Sequence, residues 1–156
     1  GPLAGNALHA RYEMERGMIA YFDSIANDGT KNHGFGLHII GSKGILAIYN
    51  DRQPFAYWVP GNPLGPTRES RPWTPFTTAG LGKEEANLQA VQDVHSHVTP
   101  AKDLVRAVHH DHHPLCNLAE GSMTVEMICA VFESHRQGGS AVRIPLKERG
   151  NALAKL

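Results

Sequence analysis

Residues 114–150 read PLCNLAEGSMTVEMICAVFESHRQGGSAVRIPLKERG, and this stretch decides the fold class. Ser122 is a good N-cap, with its hydroxyl able to accept an early amide of a helix. Behind it, Met123, Met127 and Val131 recur with Val125, Ile128 and Phe132, which gives a broad apolar face at helical spacing. Gly138-Gly139 supplies the positive φ that ends helices. A short apolar strand is then expected over residues 141–146. A capped helix followed by a strand, in a chain whose first sixty residues alternate, predicts an α+β architecture.

Working back towards the N-terminus, residues 99–114 predict a second helix. Thr99 precedes Pro100, a residue pre-set for the first helical position. Leu104, Val105 and Val108 make its apolar stripe, and Pro114 closes it. Before that, residues 60–81 hold Pro60, Pro63, Pro66, Pro72 and Pro75 with almost no periodicity. A loop of this length inside a domain is often a lid or a partner-wrapping arm. Trp73 and Phe76 would anchor it.

The N-terminal third reads as antiparallel sheet. Over residues 7–15, Leu8, Ala10, Tyr12 and Met14 alternate with His9, Arg11, Glu13 and Glu15. Arg16-Gly17 is a turn candidate, and residues 18–25 return with Met18, Ala20 and Phe22 on one side and Tyr21 and Asp23 on the other. Asn27-Asp28-Gly29 and Asn32-His33-Gly34 mark a loop. Residues 35–40 and 45–49 form the strongest hairpin signal, joined by Gly41-Ser42-Lys43-Gly44. Residues 53–59 predict one more strand, at an edge or strand start because of Pro54. The expected fold is therefore α+β: a mostly antiparallel β-sheet with helices packed on one face and the other face open, in a single domain over residues 1–156.

Composition excludes several functions. Fifteen Lys and Arg balance fifteen Asp and Glu. No basic field draws nucleic acid. Apolar runs are too short to span a bilayer as a helix, and the first residues lack the charged start and apolar core of a secretory signal. With only Cys116 and Cys129, a reducing cytoplasm with free thiols is expected.

Nucleotide motifs are missing. Gly34-Phe35-Gly36 lacks the third glycine and opens a strand instead of a helix, so a phosphate would meet no helix N-terminus. Asp93, His95 and Ser96 are sequence neighbours, unlike the members of a nucleophile–base–orienter triad. His109-His110-Asp111-His112-His113 is the most tempting metal motif, because His109 and His113 stand four apart. It lies at a helix end, where imidazolium complements the dipole, and no metal is expected there. If Leu8, Phe22, Phe35 and Leu37 face the helices, Arg11, Glu13, Tyr21, Asp23 and His38 share the opposite face. That polar face reads three ways: solvent surface, an isologous subunit interface, or the wall of a polar-substrate pocket.

HIIGSKGILAIYND (residues 38–51) resembles the hairpin of the C-terminal domain in the glucose–fructose oxidoreductase, inositol dehydrogenase and MocA (Gfo/Idh/MocA) family. Residues 97–150 resemble its closing helices and last strand, and residues 1–24 the strands that feed the hairpin. Together these segments cover nearly the whole chain. The resemblance implies the substrate-binding and oligomerisation half of an NAD(P)-dependent oxidoreductase acting on a sugar, cyclitol or related polyol, working as a dimer or higher homo-oligomer through the open sheet face. It places NAD or NADP in a preceding Rossmann domain, so no cofactor is expected on this chain, and the chain is expected to be inactive alone. The family's catalytic Lys lies in a Lys-Pro motif that no position here matches. Asp93 to His97 spells the family's Asp-x-x-x-His, but after the Pro-rich loop instead of ahead of the sheet, so no catalytic residue is carried over. Two other functions stay open: a stand-alone dimerising module, and a His-rich metal-binding protein.

Overall fold

A computed structural model describes residues 7–26, 35–150 and 154. Among these residues the class is α+β: seven antiparallel strands in two sheets, with three α-helices. The chain divides into two compact units, one of Gly1–Asn27 with Pro100–Leu156 and one of Asp28–Thr99. The strands expected in one sheet thus fall into a two-stranded and a five-stranded sheet.

In the first unit, β1 (Ala7–Glu13) pairs with β2 (Ile19–Ile25). Its register sets Leu8 against Ser24, Ala10 against Phe22 and Tyr12 against Ala20. One face therefore carries Leu8, Ala10 and Tyr12, all half-buried, as the alternation predicts. The turn is a single 3-10 turn, Glu15–Gly17, with Arg16 at φ 61° and Gly17 at φ 77°. Glycine tolerates that conformation freely, and Arg16 takes it at some cost.

The helices of this unit are α2 (Val98–His110) and α3 (Leu118–Arg136). Helix α2 starts a residue before Thr99, so Thr99 and Pro100 stand in its first turn and Thr99 is not the cap. α3 is longer than expected, and Ser122 is not its cap either. Asn117 accepts the Glu120 amide, and the Glu120 carboxylate accepts the Asn117 amide, each at 3.1 Å. This reciprocal pair satisfies two amides left open at a helix start. Gly138 (φ 72°) and Gly139 (φ 85°) follow the helix, as the sequence predicts. The hairpin meets α3 through the Tyr12 hydroxyl, which donates to the Met127 carbonyl at 3.3 Å.

Two expectations for this unit need correction. Residues 141–146 form no strand. They are tied down by side chains instead: the Leu146 amide donates to Glu126 at 2.6 Å, and Arg149 lies 3.7 Å from the same carboxylate. The expected apolar faces also stay largely open. Only Ala107 in α2 and Ala130 in α3 are buried, while Leu104, Val105, Val108, Met123, Val125 and Ile128 are exposed.

The second unit is a five-stranded meander, β3 (Gly36–Gly41), β4 (Gly44–Tyr49), β5 (Ala56–Pro60), β6 (Thr74–Thr77) and β7 (Gly80–Leu81). The β3–β4 hairpin falls where the sequence places it, with Gly41 opposite Gly44. A Cβ on Gly44 would lie 2.4 Å from the Trp58 ring, so this glycine lets an indole lie flat on the strand. The Pro-rich stretch is shorter than expected as a loop, because residues 74–81 carry β6 and β7. Pro75 is tolerated because its carbonyl accepts from the Gly82 amide at 2.7 Å. A residue's N–H and C=O point to one side of a strand, so the missing N–H lies on the short β7 side and costs β5 nothing. Thr77 is buried, its hydroxyl 3.1 Å from the Lys83 carbonyl and 3.2 Å from that of Gly80. α1 (Leu88–His95), capped by Asn87 on the Ala90 amide at 3.0 Å, follows the sheet and is a helix beyond the two expected.

Phe22, Phe35 and Leu37, expected against helices, are exposed. No helix among the described residues is long and apolar enough to cross a membrane. The loop expected around Asn27-Asp28-Gly29 and Asn32-His33-Gly34 lies outside the described residues.

Candidate functional site

Four of the five expected site residues come together on the outer face of the β1–β2 hairpin. Arg11 stands opposite Tyr21, and Asp23 opposite His9. The Arg11 guanidinium donates to Glu13 at 2.5 Å. Hydrogen bonding to Glu13 first, then to Tyr21, raises its pKa further above the ordinary guanidinium value. His9, which the alternation also puts on this face, pairs with Asp23 at 2.5 Å. Both members of that pair are more than 60% exposed. Exposed pairs of this kind contribute about 1 kcal/mol at most. Each of these polar side chains has a partner on the same face.

His38 does not share that face. It belongs to β3, in the other unit, and helps form a cluster of rings there. Its partner across the ladder is Ala47, which in turn stands opposite Tyr57, and Gly36 stands opposite Tyr49. His38, Tyr49 and Tyr57 therefore project from one side of the sheet. The His38 Nε2 lies 3.1 Å from the Tyr49 hydroxyl, with the two rings edge to face at 5.7 Å. Tyr49 meets Tyr57 at 6.1 Å, and the Arg52 guanidinium sits 3.5 Å over the Tyr49 ring. Trp73 completes the group, 6.1 Å from His38.

Local sequence explains how these rings assemble. A Cβ at Gly36 would sit 2.4 Å from the Ile48 carbonyl and 3.0 Å from the Tyr49 ring, so glycine leaves room for Tyr49 beside His38. The loop over residues 61–73 is held by Arg71, which donates to the Asn62 carbonyl at 2.7 Å, and by Asn62, which accepts the Leu64 amide at 3.0 Å. That loop delivers Trp73 to a side chain three strands away. The aromatic residues were visible in the sequence, but only chain pairing and loop course bring them together.

Other motifs take structural roles. The Ser96 hydroxyl donates to the Asp93 carbonyl at the end of α1, Gln89 donates to the Asp93 carboxylate at 2.8 Å, and the His95 ring packs on Phe55 at 5.4 Å. α2 ends at His110, and Asp111 takes φ 49°, so His113 is not one helical turn beyond His109. His110 instead stacks near His112, at 6.5 Å. No group of three or more His, Cys, Asp or Glu among the described residues is placed to hold a metal ion. Cys116 and Cys129 are free thiols.

No protein-family model matches the chain, no curated protein matches it, and no solved structure matches it.

Proposed function

We propose that this chain is the C-terminal substrate-binding and oligomerisation domain of an NAD(P)-dependent oxidoreductase of the Gfo/Idh/MocA type, acting on a sugar, cyclitol or related polyol. One observation supports the reading: HIIGSKGILAIYND, one of the segments that carry the resemblance, lies in an antiparallel hairpin paired residue for residue from Gly36–Tyr49 to Gly41–Gly44. The α+β class agrees with it.

In this reading the nicotinamide and the general acid/base belong to a preceding dinucleotide-binding domain. Hydride passes between the nicotinamide and a hydroxyl-bearing carbon. This chain would hold the polyol and join subunits through a sheet face, in the cytoplasm. Arg11, Glu13, Tyr21 and Asp23 are the interface residues of the proposal, since a two-fold contact presents one patch to itself and pairs acids with bases.

The test is the whole reading frame that encodes these residues. It should contain a strand, a Gly-x-Gly-x-x-Gly turn and a helix upstream of residue 1, and its product should reduce NAD or NADP with a polyol. A reading frame without that unit, or a product inactive with a broad sugar and cyclitol panel, would refute the assignment.

A further inference from the structure

The ring cluster around His38 has the composition of a platform for a ring-shaped, uncharged ligand. Trp73 is 45% exposed, and His38 is exposed beside it. Their rings are tilted by 39° and make two adjoining surfaces. Polar atoms border them: the His38 imidazole and the Tyr49 hydroxyl, 3.1 Å apart, can each donate or accept. Tyr49 is braced from one side by Arg52 and from another by Tyr57, so its hydroxyl is held in place.

We infer that His38, Tyr49 and Trp73 bind a neutral polyhydroxylated ring, a sugar or cyclitol. The C–H-rich face of such a ring would lie on the Trp73 indole, and neighbouring hydroxyls would bond the His38–Tyr49 pair. Two features of the cluster select this class. An aromatic platform with a few fixed polar groups suits a ligand that is apolar on its face and polar at its edge. A cationic ligand would meet the Arg52 charge already on Tyr49. The inference deepens the reading above by assigning the residues that hold the polyol. Binding itself is argued from this cluster alone and holds whether or not a nicotinamide domain precedes it.

The experiment uses the 156-residue chain with myo-inositol, glucose and glucose 6-phosphate as probes, followed by the two indole N–H signals in NMR. The neutral probes should shift the Trp73 signal saturably, with a Kd on the order of 1 mM, and leave Trp58 unmoved. Trp73→Ala and His38→Ala should each weaken binding at least tenfold, and Tyr49→Phe several-fold. Lys147→Ala, outside the cluster, should change nothing. Far-UV circular dichroism confirms that each variant is folded. If Trp73→Ala unfolds the chain, Trp73→Phe replaces it and should retain partial binding. No saturable shift, an equal shift at Trp58, or wild-type binding by the Trp73 and His38 variants would each overturn the inference. So would more than tenfold preference for glucose 6-phosphate. Saturable binding here, with no nicotinamide-dependent activity from the whole reading frame, would leave the site standing and remove the oxidoreductase reading.

Discussion

The Trp73 indole and the His38 imidazole lie 6.1 Å apart, although β3, which carries His38, is separated from β6 by two strands. Thirty-five positions separate them in sequence (73 minus 38). Their meeting depends on the sheet register and on the loop over residues 61–73. Anything that disturbs the β3–β4 hairpin should therefore disturb the ring cluster as well.

Gly36→Ala tests that coupling. The new methyl would meet the Ile48 carbonyl at 2.4 Å, backbone that cannot rotate away. A loss of roughly 1–3 kcal/mol is expected from overpacking, seen as a lower urea midpoint. The His38 and Tyr49 ring signals should move in the same variant. Unchanged stability and unchanged ring signals would show that β3 yields at this end.

Gly44→Ala should cost at least as much, because its methyl would press 2.4 Å from the Trp58 ring and 2.5 Å from the Val59 carbonyl. A loss of roughly 1–3 kcal/mol is again the scale for overpacking. Trp58 fluorescence should change as its ring is displaced. Thermal melts on wild type and variant decide it, and equal midpoints would contradict the packing described.

Asn117→Ala removes one side of the capping box on α3. A cap of this kind contributes typically about 1 kcal/mol. Ser122→Ala, at the position the sequence suggested as the cap, should fall within about 0.5 kcal/mol of wild type, as surface changes do. Reversed magnitudes in a urea titration would restore Ser122 as the helix start.

Tyr12 gives a pH dependence. Burial raises its phenol above the ordinary value of 10.0. A group whose pKa is higher when folded stabilises fully below the unfolded value and loses that contribution as pH rises through the folded one. Stability should therefore fall above about pH 10. Tyr12→Phe should flatten that fall and cost about 1 kcal/mol at neutral pH for the lost bond to Met127. A Tyr12→Phe variant with the same alkaline slope as wild type would count against this assignment.

Much of the local structure was legible from residue order. Alternation set the faces of β1 and β2, and Gly41-Ser42-Lys43-Gly44 placed the β3–β4 turn, because period two and turn composition are properties of short stretches. Gly138-Gly139 stopped α3 for the same reason. The start of that helix was legible too, as Asn117-x-x-Glu120, but Ser122 competed for it. Pro75 concealed β6, since a missing N–H argues against a strand until the unpaired side is known.

What only the tertiary structure decided is which elements share a sheet and which side chains meet. Sequence alternation says that residues lie on one face of a strand. It carries nothing about which strand lies alongside, since backbone hydrogen bonds are the same for every partner. For that reason Arg11, Glu13, Tyr21 and Asp23 were grouped correctly from the sequence, as one hairpin with a local turn. His38 was grouped wrongly: its neighbours are Tyr49, set by strand register, and Trp73, brought by a loop whose path no short-range rule fixes.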